Sequence, residues 1–290
     1  MLTKLFEAAL IVCCLFIRCS NFTDPDAVNP ASGEFALLTY NVAGLPQGIS
    51  PSNPEKNTPL ISPLLNNYDI VLVQEDFVFH EQLKSKAQHP YQSQPHSSSG
   101  QFDFGDGLNR FVNFMFTAFQ RESWNVCSNQ NGNDCLASKG FSVAETTLAP
   151  RVIVDIYNLH MDSGSGVLDI EARNKQIQQL LSAIQARSAG KAIILAGDTN
   201  LDTINRPEDE QLLQELLAGA GLTDSCRLLN CDQELVDRVL FRESDNLTLK
   251  PVFWNIDADF VDTEGNKLSD HLAVGVSFKW QVKPPLSGQK

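Results

Sequence analysis

The chain has 290 residues, of which 42% are hydrophobic, and its formal net charge is −13 with a pI near 4.7. This composition is that of an ordinary globular protein, and the acidity argues against tight, sequence-independent binding of nucleic acid through a basic surface. A bound divalent cation reverses the charge locally, so nucleic acid stays open as a substrate. The length allows one large domain, which a two-sheet sandwich commonly fills.

The N-terminus is typical of an export signal. Lys4 precedes an apolar stretch, Ala8 to Ile17, which has the length of a signal-sequence core and is too short to span a membrane. We therefore expect residues 1–19 to be a signal peptide, or a lipoprotein signal with lipid attached at Cys19; a buried N-terminal helix is the alternative. The exported protein would be secreted, periplasmic or held on the outer surface. Residues 20–33 contain few apolar side chains and predict a flexible leader.

Four of the seven cysteines lie beyond this segment. An even number of cysteines in an exported protein indicates disulfides. Proximity in the sequence favours the pairs Cys127–Cys135 and Cys226–Cys231, each of which would close a short polar loop. The spacing is not that of a paired Cys-x-x-Cys zinc site. Free buried thiols are the alternative if the protein is not exported.

Apolar runs typical of buried strands recur along the chain, and each carries a polar side chain at its edge. In chain order they are Phe35 to Val42 with Asn41, Ile70 to Val73 before Glu75, Val152 to Leu159 before His160, Ala192 to Ala196 before Asp198 and Asn200, Leu235 to Phe241 with Asp237, and Leu272 to Phe278 after Asp270 and His271. A buried strand that is followed directly by an acid indicates that the acid faces a cleft.

The segments between these strands predict helices and loops. Leu168 to Ala186 has apolar residues at helical spacing, and Glu208 to Ala218 ends at glycines, so both predict helices. Prolines make the segment after the first strand loop-like, with a short helix near Leu60 to Asn66. The polar segment 80–110 predicts a long surface loop. Phe111 to Phe119 and Phe141 to Leu148 predict two further strands, joined by the loop that contains Cys127 and Cys135. Alternating strands and helices indicate an α/β fold.

Asp198 and Asn200 stand two residues apart at the end of one predicted strand. Side chains at this spacing on an extended backbone point to the same side. A carboxylate and a carboxamide that converge on one ligand suit a phosphate with a metal ion beside it. The alternative is a strand that ends in a turn rich in Asp and Asn.

The order of these residues, Asn, Glu, His, Asp-x-Asn and Asp-His, each at a strand edge, resembles the endonuclease/exonuclease/phosphatase superfamily. Its members include deoxyribonucleases, abasic-site endonucleases, inositol-phosphate phosphatases and bacterial neutral sphingomyelinases. The resemblance covers residues 34–279, which we expect to form one domain followed by a C-terminal tail, 280–290. It implies a four-layer α/β/β/α sandwich, with two mixed β-sheets packed face to face and helices outside.

Glu75 is the natural ligand in this set for a hard cation, because carboxylates suit Mg²⁺. The resemblance implies that Asn41 assists at the metal and the phosphate and that Asp270 lies near a second metal position. We therefore expect Mg²⁺ as the cofactor, with Mn²⁺ or Ca²⁺ as substitutes. Zinc would prefer more His and Cys than this set offers.

The resemblance also implies the catalytic roles. His271 would be the general base, oriented by Asp237. Asp198 would position or deprotonate water, or help the leaving group, while Asn200 and His160 would stabilise the pentacoordinate phosphate. A Ser-His-Asp hydrolase is the rival chemistry, but the sequence contains no Gly-x-Ser-x-Gly motif.

We therefore expect an exported, monomeric, Mg²⁺-dependent phosphodiesterase of the sphingomyelinase-like branch that acts on a phosphodiester at a membrane surface. The acidity, the export signal and the run Tyr40 to Pro46 favour this function. The lack of a clear hairpin of paired aromatics argues against it, since Phe253 and Trp254 are the only near candidates. An extracellular endonuclease of the same fold and a non-catalytic binding protein are the alternatives.

Overall fold

The computed structural model describes residues 30–50, 52–96, 104–131 and 134–284. The expected signal at 1–19, most of the leader and the last six residues of the tail lie outside these ranges. Within the described ranges, none of the helices combines the length and the hydropathy that a membrane span requires.

Two six-stranded sheets form the centre of the fold. Sheet A has the strand order β11-β12-β1-β2-β4-β3, and sheet B has the order β5-β6-β7-β8-β10-β9. The strands of sheet A are β1 (Ser32–Asn41), β2 (Ile70–Gln74), β3 (Tyr91–Gln92), β4 (Asn109–Val112), β11 (Leu247–Ile256) and β12 (Val274–Val282). Those of sheet B are β5 (Phe116–Ser123), β6 (Gly140–Ala149), β7 (Val152–His160), β8 (Ile193–Asp198), β9 (Thr223–Asp224) and β10 (Asp237–Arg242).

Helices cover the outer face of each sheet. They are α1 (Pro54–Leu64), α2 (His80–Lys84), α3 (Val167–Ser188), α4 (Pro207–Ala220) and α5 (Ser225–Leu229). Consecutive residues of β8 face opposite sides of sheet B, and both sides are covered, which explains why its sequence is continuously apolar. Ile194 of β8 packs between the two sheets, whereas Leu195 of the same strand packs among residues of α3 and α4. A third apolar cluster joins α1 to sheet A. These three interfaces confirm the expected α/β/β/α sandwich.

Both disulfides expected from the sequence are present. The Cα atoms of Cys127 and Cys135 are 5.5 Å apart, and those of Cys226 and Cys231 are 5.0 Å apart. The first bridge closes the loop between β5 and β6, and the second closes the turn after α5.

Three predicted elements differ from the structure. The proline-rich segment forms the helix Pro54–Leu64, because Asn53 accepts a hydrogen bond from the Lys56 amide at its N-terminus and Pro54 occupies the first turn. The predicted loop 80–110 contains α2, β3 and the start of β4. The single strand expected at Phe111 to Phe119 is two strands, β4 in sheet A and β5 in sheet B, joined by a short crossing. Strand β11 was not predicted.

Arg173 fixes α3 to α4 inside the protein. Its guanidinium and the carboxylate of Asp209 are both fully buried, with Nη2 2.8 Å from Oδ1. The other terminal nitrogen, Nη1, donates to the carbonyl oxygens of Asp162, Ser163 and Gly164, which follow β7. Arg173 therefore holds the loop after His160 as well as the helix pair.

Arg173→Leu is expected to lower the free energy of unfolding by about 3–5 kcal/mol, because it removes the fully buried cation of the pair and leaves the buried Asp209 carboxylate only the partly exposed Arg206. Urea unfolding monitored by circular dichroism measures this change. Lys175→Leu on the same helix is the matched control, since Lys175 pairs with Glu171 at the surface, and its unfolding midpoint should stay near that of the wild type. Equal midpoints for the two variants would contradict the structural role of Arg173.

Candidate active site

Each sheet contains one pair of parallel strands, and the C-terminal ends of the two pairs lie at the same edge of the sandwich. In sheet A, β1 and β2 run parallel with Asn41 opposite Gln74, and Glu75 follows directly. In sheet B, β7 and β8 run parallel with His160 opposite Asp198, and Asp237 of β10 lies opposite Asp198 on the other side. Ligands commonly bind beyond the carboxyl ends of parallel strands, so this edge is the expected place for a site.

A cleft of about 380 Å³ opens at this edge. The predicted site residues that line it are Glu75, His160, Asp198, Asn200, Asp270 and His271. The two others, Asn41 and Asp237, are buried directly behind its wall and contact the lining residues. The structure thus brings all the predicted site residues together.

Asp198 lies at the centre of the polar network. Its Oδ2 accepts a hydrogen bond from Asn41 Nδ2 at 3.2 Å and lies 3.3 Å from His160 Nε2, while its Oδ1 accepts from the Asn200 amide at 3.0 Å. Burial acts to raise the pKa of Asp198, but the nearby His271 and His160 outweigh it and hold the pKa below its usual range. Asp198 is therefore ionised although it is almost completely buried.

His271 connects Asp198 to Asp237. Its Nδ1 is 2.8 Å from Asp237 Oδ2, and its Nε2 is 3.7 Å from Asp198 Oδ2. Burial acts to lower the pKa of His271, but the charges of Asp198 and Asp237 outweigh it and raise the pKa to about 10. Burial raises the pKa of Asp237 to about 6 against the opposing effect of His271. The carboxylate of Asp237 fixes the ring so that Nε2 faces the cleft.

The turn that carries His271 is tied to strand β1. Ser269 Oγ donates to the backbone oxygen of Asn41 at 2.7 Å and accepts from the His271 amide at 3.2 Å. His271 lies in this turn, three residues before β12 begins at Val274. The Ser-Asp-His motif thus positions the imidazole through its serine.

His160 and Asn200 enter the cleft from the ends of the sheet B strands β7 and β8. The side chain of His160 is 1% exposed, and its backbone oxygen accepts a hydrogen bond from Trp124 Nε1 at 2.7 Å. Asn200 has a left-handed backbone with φ 51°, and its Nδ2 donates to the Met161 backbone oxygen at 2.9 Å. Both side chains are held by the protein before any ligand binds, which is the arrangement that stabilises developing charge most effectively.

The donor set on the sheet A side fits a hard divalent cation. Glu75 has a left-handed backbone with φ 56°, which turns its carboxylate from the strand end into the cleft, and Oε1 accepts from Asn41 Nδ2 at 3.3 Å. The second oxygen, Oε2, has no protein hydrogen-bond donor among the described residues. Asp270 is exposed in the same cleft. Two open carboxylates suit Mg²⁺, Mn²⁺ or Ca²⁺.

The side chain of Asn41 differs from that of an open metal ligand, because its oxygen already accepts a backbone hydrogen bond. Its Oδ1 accepts from the Ala43 amide at 3.0 Å, and its Nδ2 donates to both Glu75 and Asp198. It therefore orients the two carboxylates, and the predicted contact of its oxygen with a metal stays a prediction.

The ligand atoms of Asp198, Asp237 and His271 lie within 4.8 Å of one another, a spacing that a metal ion could also occupy. Two of these oxygens already have partners, since Asp237 Oδ2 binds His271 Nδ1 and Asp198 Oδ2 binds Asn41 and His160. The carboxylates of Glu75 and Asp270 have fewer partners and line the cleft, so they are the more open positions for a cation.

The cleft contains one cationic side chain that no sequence pattern indicated. Lys139 lines it, forms an ion pair with Asp134, and is nearly buried. Asp134 Oδ2 also accepts from the amide and the hydroxyl of Ser163, at 3.1 Å and 2.9 Å. Asp134 precedes Cys135 of the first disulfide. The only sequence signal was the cysteine pair itself, because the fold alone brings this loop to the strand ends.

The chain is similar to known proteins over most of its length. The model of the Endonuclease/Exonuclease/phosphatase family matches residues 38–271. A sphingomyelinase of Mycobacterium tuberculosis is 32% identical over 272 residues, which cover 86% of this chain and 53% of that protein, so the chain spans about half the length of this curated relative.

Two solved structures are similar in fold. A double mutant of the beta toxin of Staphylococcus aureus, solved with bound magnesium ions, has a TM-score of 0.59 at 17% identity, and the match covers 87% of this chain and 100% of that one. D. rerio TDP2, complexed with a single-strand DNA product, has a TM-score of 0.64 at 18% identity, and the match covers 85% of this chain and 99% of that one.

Proposed function

Because this chain belongs to the endonuclease/exonuclease/phosphatase family, we propose that it is a Mg²⁺-dependent phosphodiesterase that hydrolyses a phospholipid such as sphingomyelin. One observation carries the chemistry: the His271–Asp237 pair faces the same cleft as the open carboxylates of Glu75 and Asp270. The lipid class is supported by the mycobacterial sphingomyelinase at 32% identity and by the acidity of the chain, whose net charge is −13.

His271 acts as the general base in this proposal. The neighbouring carboxylates raise the pKa of His271 to about 10, and a cation bound at Glu75 and Asp270 would lower it again. In its neutral form, His271 accepts a proton at Nε2 from the water that attacks phosphorus, while Asp237 at Nδ1 holds the ring and stabilises the imidazolium that forms. Asp198, 3.7 Å from Nε2, orients the same water through its carboxylate. The proton then returns from the imidazolium to solvent or to the leaving oxygen.

The phosphoryl oxygens are stabilised from the sheet B side. His160 and Asn200 line this wall, and Lys139 adds a positive charge beside them. Hydrogen bonds to ionised groups are about twice as strong as those between neutral groups, so Lys139 favours a dianionic transition state.

Glu75 and Asp270 would hold the cation, with Asn41 keeping the Glu75 carboxylate in place. When bound there, Mg²⁺ would supply positive charge to the phosphoryl oxygens and would oppose the carboxylates that retain the proton on His271. The beta toxin with bound magnesium ions supports this choice of metal.

The proposal includes export and action as a monomer at a membrane surface. The two disulfides support an oxidising compartment. An extracellular endonuclease is the second candidate, supported by the similar fold of TDP2 in its complex with DNA. Against it, Lys139 is the only lysine or arginine among the residues that line the described cleft, which offers a single cation to a nucleic-acid backbone.

A substrate panel tests the function. Sphingomyelin, phosphatidylcholine, single- and double-stranded DNA and a phosphomonoester are each incubated with Mg²⁺ and with excess EDTA. We expect release of phosphocholine from sphingomyelin with Mg²⁺ only. Hydrolysis of DNA at a higher kcat/KM than sphingomyelin would replace the lipid assignment with the nuclease, and activity on no substrate would support the non-catalytic alternative.

A further inference from the structure

Exposed apolar side chains surround the mouth of the catalytic cleft. Ile49, from the loop after β1, is 64% exposed, and Leu136, from the loop of the first disulfide, is 57% exposed. Phe77, Phe104 and Leu45 line the same cleft and are partly exposed. The rings of Phe77 and Phe104 lie 6.2 Å apart. We refer to these five residues, Leu45, Ile49, Phe77, Phe104 and Leu136, as the apolar rim.

Asp198 and His160 lie deeper in the cleft than the rim residues, although Asp270 is exposed. Asp198 and His160 are each 1% exposed, whereas Ile49 is 64% exposed. A ligand that reaches these two buried residues therefore also meets exposed hydrocarbon side chains of the cleft. Large exposed aliphatic side chains beside a site are costly to solvate and mark a surface that an apolar group covers.

We propose that the apolar rim, and Ile49 and Leu136 in particular, contacts the first part of the hydrocarbon chains of the lipid whose phosphate occupies the site, and so selects lipid over water-soluble diesters. This inference rests on the proposed phosphodiesterase function. The occupant is the substrate itself, because the rim is continuous with the residues that would bind its phosphate. A diester without hydrocarbon chains would leave the rim in water.

The structure distinguishes this surface from the aromatic candidates of the sequence. Phe253 of β11 is 57% exposed, but neither it nor Trp254 lines the cleft. Phe253 also belongs to the outermost strand of sheet A. A membrane contact at β11 would therefore not involve the cleft. Contact of the lipid with the apolar rim, in contrast, changes the kcat/KM for lipid relative to that for soluble diesters.

The test compares two substrates on the full chain in the presence of Mg²⁺. They are sphingomyelin in detergent mixed micelles and bis(p-nitrophenyl) phosphate, which carries no hydrocarbon chain. The measured quantity is the ratio of the two kcat/KM values. Ile49→Ser combined with Leu136→Ser is expected to lower this ratio roughly tenfold or more, because each side chain loses part of its apolar contact with the lipid. Ile49→Leu combined with Leu136→Ile should retain the wild-type ratio.

The matched control is Ile153→Ser combined with Leu228→Ser. Both residues are large, aliphatic and exposed, and neither lines the cleft. Ile153 lies near the start of β7, at the opposite end from His160. The control should keep the wild-type ratio to within about twofold, and thermal melting of every variant verifies that it is folded.

The outcomes separate the two proposals. Hydrolysis of the soluble diester by the wild type without any hydrolysis of lipid would overturn the lipid assignment and the rim with it. Lipid hydrolysis with an unchanged ratio in the rim variant would overturn the rim alone. A fall in the ratio confined to Phe253→Ser would assign lipid contact to β11 and likewise overturn the rim.

Discussion

Replacing His271 with alanine is expected to lower kcat by about 10²- to 10⁴-fold, the usual range for a positioned general base. The imidazole lies 3.7 Å from Asp198 Oδ2 and 2.8 Å from Asp237 Oδ2, so its loss removes the proton acceptor and leaves the two buried carboxylates without the ring between them. Substrate affinity should change little. Steady-state kinetics and thermal melting on the same preparation measure both effects. A lower melting temperature with near-wild-type turnover of the folded fraction would show that His271 only packs in the turn.

Asp237→Asn extends this test to the residue behind the cleft wall. The amide preserves the shape of the side chain but removes the charge that stabilises the imidazolium, so a smaller loss than that of His271→Ala is expected. The double variant should be far from additive, because the two residues act as one unit. Additive losses would show that Asp237 acts independently of His271.

Glu75→Gln is expected to lower activity at a fixed, limiting Mg²⁺ concentration by about a hundredfold or more, since it removes the main negative ligand and keeps its volume. Raising the Mg²⁺ concentration should restore part of the activity. Calorimetric titration with Mg²⁺ provides a second measurement that does not depend on turnover, and the heat of binding should become too weak to fit in the variant.

Glu81→Gln is the matched control for this variant. Glu81 is an exposed glutamate on α2 that pairs with Lys84 outside the cleft, so its Mg²⁺ dependence should equal that of the wild type. The metal proposal would be contradicted if the wild type kept full activity in excess EDTA. It would also be contradicted if the Mg²⁺ titration of Glu75→Gln matched that of the wild type.

The sequence predicted which residues meet at the cleft more completely than it predicted the elements between them. Each predicted residue follows or starts a strongly apolar strand, and the ends of parallel strands fall at one edge of a sheet. The position of Asp237 shows the limit of this reasoning. The sequence places it inside a strand, whereas in the structure it begins β10 and lies opposite Asp198. Pairing register depends on contacts between distant segments, which no local pattern contains.

The errors have physical causes of the same kind. Phe111 to Phe119 alternates well enough for one strand, but the chain passes between the sheets at 113–115, where contacts with both sheets are available. His80 and His89 lie in the segment 80–110 that the sequence predicts as a surface loop, yet both are buried, with His80 Nδ1 2.6 Å from Asp76 Oδ2. Lys139 reaches the cleft only because the loop between β5 and β6 folds back over β7.

His160, Asp198 and Asp237 share a single rung across three adjacent strands. Because neighbouring residues of a strand face opposite sides of its sheet, a slip of β10 by one residue would turn Asp237 away from His271. Chains whose sheet B is compact but misaligned would therefore be inactive while retaining nearly normal secondary structure. During refolding, turnover should thus recover later than the far-UV circular dichroism signal. The rate at which activity returns then measures the final alignment of the strands.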